Sequence, residues 1–244
     1  MRSRTRGLLA VAALALLVAA AGCADGGSTA PADAPAPDAL QRNATAAMQD
    51  VRTATFTMAM DMEASGQSVS MDADGEMDVE DRRMRMDLAM DTGDRTVEVT
   101  QYVIDETAYQ RVQGDWQTQN LAGQEMWSGG NQLALQERML ENSSVEIIGS
   151  GTVDGHDVWI VAIEPGEDAI EQLLSGTASD VGENVDIQSL SFEQSVDVET
   201  SHVRKVDMRM DAEIQGQQAT LNMTMTFENF NEPVDIQLPE EAPA

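Results

Sequence analysis

The sequence predicts an α+β protein: about ten strands in one antiparallel sheet, with about three helices against it. Three observations carry this. The run Arg83-Met84-Arg85-Met86-Asp87-Leu88-Ala89-Met90-Asp91 places an apolar residue on every second position, and successive side chains of a strand point to opposite faces. The pattern then recurs near both ends of the chain: Phe56, Met58, Met60 and Met62; Val206, Met208, Met210, Ala212 and Ile214; Leu221, Met223, Met225 and Phe227. Helical spacing, by contrast, is confined to short stretches. Four alternating segments of this kind define a sheet with one apolar and one solvated face.

In chain order, Asp38 as N-cap opens a helix over 39–52, with Leu40, Ala44, Ala47, Met48 and Val51 at helical spacing. A strand at 54–63 is followed by a turn at Ser65-Gly66-Gln67. Val69 and Met71 start a second strand, which Asp74-Gly75 is expected to fold into a hairpin before Met77 and Val79 continue. The Arg83–Asp91 strand turns at Thr92-Gly93-Asp94 into strands at 97–104 and 107–112, the latter ending at Gly114-Asp115 with Trp116 beyond. Leu133, Leu135, Gln136, Met139 and Leu140 suggest a helix at 131–141. Val145, Ile147 and Ile148 open a strand that Asp154-Gly155 turns into 158–163, a wholly apolar run expected to be covered on both sides. Residues 168–174 read as a short helix and 176–184 as a loop. Strands at 192–199, 203–214 and 219–230 complete the domain, with Gln215-Gly216 as the turn between the last two.

The ends of the chain have a different composition. Residues 1–22 carry Arg2, Arg4 and Arg6 before an apolar run from Leu8 to Ala21. That run is short for a membrane span and fits a secretory leader. It ends in Ala20-Ala21-Gly22-Cys23, which resembles the lipobox of prokaryotic lipoproteins. Cys23 is the lone cysteine, so it forms no intrachain disulfide and is expected to carry the lipid; a plain leader cleaved nearby is the alternative. Residues 23–38 form a Pro/Ala/Gly tether, at ~3.1 Å per residue in its proline-rich part long enough to hold a domain roughly 40 Å from a membrane. Residues 39–239 form the β domain and 240–244 an acidic tail. The expected location is the extracytoplasmic face of the cell membrane.

The net charge is −29 over 244 residues, and Lys205 is the lone lysine. Such a chain repels nucleic acid and anionic headgroups. Its acidity suits strong salt, where screening weakens self-repulsion, and points to a halophilic source. Methionine is abundant, at 16 residues, while aromatic residues make up 4%. Methionine fills irregular apolar space without fixing one packing.

Three stretches carry a resemblance. Leu40-Gln41-Arg42-Asn43-Ala44 leads through Val51-Arg52-Thr53-Ala54-Thr55-Phe56, a helix feeding directly into a strand. Gly151-Thr152-Val153-Asp154-Gly155-His156-Asp157-Val158-Trp159-Ile160-Val161 forms a mid-domain hairpin, and Phe227-Glu228-Asn229-Phe230-Asn231-Glu232-Pro233-Val234-Asp235-Ile236 a closing strand. Together they resemble the LolA/LolB-like superfamily, in particular the LppX/LprG-type lipoproteins, over most of residues 39–239. The resemblance implies a strongly curved antiparallel sheet, a half-open barrel wrapped around helices, with acyl chains held between the two layers. The residues that would face such a ligand are Phe56, Met58, Met60, Met84, Met86, Leu88, Met90, Met208, Met210, Met223 and Met225.

Other chemistries find less support in the residues. Met-x-Met repeats offer thioethers to Cu(I), yet neither Cys nor His neighbours them in sequence, so no metal site is expected. Ser70 to Asp81 has roughly the spacing of a calcium loop but strand-like flanks; a solvated hairpin tip is the expectation. There is no nucleophile elbow, zinc helix or phosphate loop. Neither catalysis nor a cofactor is therefore expected. Two functions stay open: a membrane-anchored lipoprotein binding a hydrophobic ligand such as a lipid or acyl chain, and an envelope scaffold whose core is filled by its own side chains.

Overall fold

The computed structural model describes residues 30–64, 66–122, 127, 143–165, 185–214 and 216–243. Helix α1 (Pro37–Gln49) leads into strands β1 (Thr53–Ala64), β2 (Gln67–Asp78), β3 (Arg83–Asp91), β4 (Thr96–Ile104), β5 (Thr107–Val112) and β6 (Asp115–Asn120). Strands β7 (Ser143–Val153), β8 (His156–Pro165), β9 (Val185–Asp197), β10 (Val203–Ile214) and β11 (Gln217–Glu228) complete the order. All eleven belong to one sheet, arranged β6-β5-β4-β3-β2-β1-β11-β10-β9-β8-β7. Every neighbouring pair is antiparallel. The centre is β1 against β11, which joins the two ends of the chain from Thr55↔Glu228 to Ala64↔Ala219. The two edge strands, β6 and β7, do not pair with each other, so the large curved sheet stays open.

Tight turns make this meander possible. Gln113-Gly114 and Asp154-Gly155 have positive φ at both positions, 53° and 96° and 49° and 85° respectively. That geometry matches the right-handed twist of the strands they join.

Helix α1 begins with Ala36 as N-cap rather than Asp38, and Pro37 occupies the first turn. Proline's fixed φ and missing N–H suit that position. Asp38 lies one residue further in, where its carboxylate meets the positive end of the helix dipole. Leu40, Ala44 and Met48 are buried and, with Val51, join Phe56, Met77, Met84, Val103, Val206 and Phe227 in one apolar core. The helix therefore covers one end of the sheet.

Four expectations need correction or placement. The predicted helices at 131–141 and 168–174 lie outside the described residues, among which α1 is the single helix. The sheet has eleven strands rather than about ten, because Trp116 lies inside β6; alternation is poorly visible in Asp-Trp-Gln-Thr-Gln-Asn, where apolar residues are almost absent. Asp74-Gly75 does not turn. Strand β2 runs straight through it, pairing Asp74 with Thr57 and Gly75 with Phe56. A Cβ on Gly75 would stand 2.2 Å from Phe56 Cζ; the glycine is there to seat a ring, a recognised use of glycine within strands. A continuous strand also removes the calcium-loop reading of Ser70–Asp81.

The fourth correction concerns 158–163, which is not covered equally on its two sides. At its start Val158 and Trp159 are buried on opposite faces, as expected; further along, Val161 and Ile163 are buried while Ile160 and Ala162 are half-buried. Ile160 lies over Gly149 and Gly151 of β7, where added Cβ atoms would be 3.8 and 3.5 Å from its Cδ1.

Beyond β11 the chain doubles back along the strand ends. Asn231 donates its backbone N–H to Thr53 O at 2.8 Å, and its side-chain oxygen accepts from Arg52 N at 2.8 Å. Arg83 Nη1 donates to Ile236 O at 2.9 Å, with Ile236 buried beneath.

Candidate functional site

Directly opposed residues of an antiparallel pair share a face, so the registers place the predicted ligand residues. Phe56, Met58, Met60 and Met62 of β1 oppose Phe227, Met225, Met223 and Leu221 of β11. Met225 and Met223 oppose Val206 and Met208 of β10. On the other side Met60 opposes Met71, Met71 opposes Met90, and Met77 opposes Met84. All eleven predicted residues thus lie on the same face. Of the chain's 16 methionines, twelve are found there: three on β1, two on β2, three on β3, two on β10 and two on β11.

The face is organised in transverse rows. One runs Val97-Met90-Met71-Met60-Met223-Met208-Phe192-Ile163-Val145, a residue from each strand from β4 to β7. Five adjacent members are methionines. The next row toward the helix runs Val112-Val99-Leu88-Ala73-Met58-Met225-Val206, then continues through Gln194, Val161 and Ile147.

Burial falls along the strands. Phe56, Phe227, Met84, Met208 and Met225 are buried. Met58, Met60, Met71, Met86, Leu88, Met90, Met210 and Met223 are half-buried, and Met62, last on β1, is 40% exposed. The α1 end is thus a packed core; beyond it the face is partly open to solvent on β1, β2 and β3, while on β10 and β11 Ala212 and Ala219 stay buried. Sequence reasoning missed Met71, Val97 and Phe192 as members of this face. The spacing of Val69, Met71, Ala73, Gly75 and Met77 held the signal, but Asp74-Gly75 was given a turn instead.

The opposite face is polar and wired to itself. Residues two apart on a strand share a face. Arg85–Asp87 (2.6 Å), Lys205–Asp207 (2.8 Å) and Arg209–Asp211 (3.1 Å) pair in this way. Cross-strand hydroxyls complete the ladders. Thr100 donates to Asp87, Thr224 to Asp207 and Thr220 to Asp211, each at 2.8 Å. Such exposed ion pairs contribute little, about 0–1 kcal/mol each. Their consequence is directional: the face they occupy is the solvated one.

A separate charged cluster sits where β9 turns into β10. The Asp197 side chain is 2% exposed and meets Arg204 Nε at 2.5 Å, with His156 Nδ1 3.3 Å away. Burial opposes its ionisation. The backbone N–H groups of Thr200 and Glu199, with Arg204, outweigh burial and hold the carboxyl at about 2. The His202 ring stacks on Phe230 at 4.4 Å, and Arg204 lies over the same ring at 5.7 Å. Burial, then the Arg204 charge, lower the His202 pKa. Nothing in the sequence marked this pair, since Arg204 falls at a register shift between Val203 and Lys205.

Other features bear on the remaining expectations. Grooves of about 470 Å³ (between Asp78, Arg83 and the C-terminal segment) and about 520 Å³ (along β4 and β5) have polar linings without any of the predicted ligand residues. Among the described residues no cluster of three His, Cys, Asp or Glu side chains could hold a metal ion. Among them, too, no helix is long and apolar enough to cross a membrane. Cys23 and the leader lie outside the described residues.

The described residues thus form an open antiparallel sheet with one helix against its apolar face, and solved structures share this architecture. The chain is similar in structure to lipoprotein LppX of Mycobacterium tuberculosis, with 13% identity over 83% of this chain and 100% of that one, at a TM-score of 0.55. A LolA superfamily protein of Nitrosomonas europaea aligns at 8% identity over 81% of this chain and 96% of that one, with a TM-score of 0.30. The MucA/MucB complex of Pseudomonas aeruginosa aligns at 14% identity, over 85% of this chain and 62% of that one, at 0.36. In sequence, a family of unknown function, DUF6612, matches residues 160–244. No curated protein matches.

Proposed function

We propose that this chain is a lipid-anchored extracytoplasmic carrier that holds the acyl part of a hydrophobic ligand against its methionine face. It acts by binding rather than catalysis. One observation carries the reading: the apolar face continues past the part packed under α1, so Met60, Met71, Met90, Met210 and Met223 remain half-buried where a fully packed core would close over them. Apolar surface of this kind gains about 25 cal/mol for each Å² removed from water. Unbranched, soft side chains adapt to a flexible chain better than branched ones. The likeness in fold to a lipoprotein and the Cys23 lipobox support the anchored part of the reading. The acidic surface directs the choice of ligand toward those without an anionic headgroup.

The second reading, a scaffold with a filled interior, makes the opposite prediction. Protein purified from its own membranes in mild detergent is expected to carry a noncovalent lipid, seen as a mass adduct in native mass spectrometry and recovered by solvent extraction. Protein that arrives free of extractable lipid and takes up none from added vesicles contradicts the carrier.

A further inference from the structure

Neither Cys nor His joins the Met-x-Met repeats, but the registers gather their thioethers with one another. Along one strand Met-x-Met is what alternation produces anyway; across strands it becomes a cluster. Met60 of β1 lies directly between Met71 of β2 and Met223 of β11, with Met90 and Met208 next in the same row. We propose that Met60, Met71 and Met223 form an all-thioether site for a soft monovalent cation, Cu(I), with Ag(I) as its redox-inert analogue.

The chemistry follows from position. Opposed residues have Cβ atoms about 4.5–5.5 Å apart, and rotation about the Cα–Cβ and Cβ–Cγ bonds of each unbranched methionine swings its sulfur toward its neighbours. Three sulfurs from adjacent strands can therefore meet at one ion without moving the backbone. Thioethers select soft ions such as Cu(I) over Mg²⁺, Ca²⁺ or Mn²⁺, which want oxygen. Oxygen donors are kept away by the same alternation, since Asp61 and Asp72 point to the opposite face. The three methionines are half-buried, within reach of water yet set in an apolar surround. A net charge of −29 concentrates cations around the whole chain. The site does not depend on the carrier function. An acyl chain needs the apolar area of these side chains, whereas the ion needs their sulfur.

Leucine is the informative replacement, because Met→Leu removes the sulfur donor and keeps the apolar volume the fold needs. The full chain, its Cys23 sulfur blocked by the lipid or, where free, by N-ethylmaleimide, is titrated with silver nitrate in chloride-free buffer and followed by native mass spectrometry. Cu(I) is titrated anaerobically against bicinchoninate. The wild-type chain is expected to retain one ion. The Met60→Leu/Met71→Leu/Met223→Leu chain is expected to lose affinity for the ion at least about tenfold, since its thioether donors are gone, while its unfolding midpoint stays that of the wild type. The single Met60→Leu chain, the mildest change, is expected to show the same loss in smaller measure. A wild-type chain that retains no Ag(I), or leucine variants that bind it as well as wild type, would overturn the site and leave the carrier reading standing.

Discussion

Asp197→Ala is expected to cost about 3–5 kcal/mol of folding stability, the range for breaking a buried ion pair by removing one partner. The reason is what remains. Arg204, with a side chain 10% exposed, would keep its charge without the carboxylate 2.5 Å away. The N–H groups of Glu199 and Thr200 would lose their acceptor, now 2.9 and 2.8 Å distant, and with it the turn that feeds β10. Replacing both partners by apolar residues, Asp197→Leu with Arg204→Met, is expected to restore much of the loss, because no buried charge is left over. Chemical denaturation at neutral pH reads both effects.

The same corner sets an acid limit. Asp197 has a folded pKa lowered to about 2 from 3.8, so its contribution is complete above the unfolded value and is lost as pH falls from about 4 through 2. His202 also has a lowered pKa. The unfolded chain takes up its proton first, so stability begins to fall as pH drops below the ordinary histidine value of 6.5. Wild-type stability should therefore decline from about pH 6.5 downward, and Asp197→Ala should flatten the lower part of that decline. An unfolding midpoint in Asp197→Ala within about 1 kcal/mol of wild type would exclude the pair as a structural anchor.

Phe227→Ala is the second large expectation, at about 3–5 kcal/mol. Phe227 is 0% exposed and stands on the central β1–β11 pair, where the two ends of the chain meet. Its ring lies 6.5 Å from that of Phe56, tilted by 51°, and Phe56 in turn fills the space over Gly75. Loss of the ring opens a cavity beside two fixed neighbours, so collapse is restricted and the cost stays high. Met60→Ala, on the same strand pair but half-buried, should cost clearly less. Equal costs at the two sites would mean that burial does not fall along the strands.

The one-faced sheet was legible because methionine, leucine and valine alternate with aspartate, threonine and arginine over whole strands. Such a pattern fixes which side faces inward whatever the partner strand. Pairing was not legible. That β1 would join β11 is a long-range choice with no local mark, and it is what turns scattered Met-x-Met repeats into one row. Local signals also misled. Asp74-Gly75 looks like a turn because glycine is read by its backbone freedom; here it is required by a ring from the next strand. Strand β6 was passed over because its residues are nearly all polar, and the Asp197–Arg204 pair because a register shift hides it from periodicity.

The account depends on adjacent residues of β1 meeting different surroundings, one a hydrophobic ligand and the next water. Placing the same amide at both positions tests this most directly, with binding of an uncharged fluorescent acylglycerol as readout. Met60→Gln is expected to weaken binding roughly tenfold or more, because an unpaired amide in an apolar contact costs about 1–3 kcal/mol; Asp61→Gln should leave binding unchanged. Equal effects at the two positions, or no binding by the wild-type chain, would contradict it.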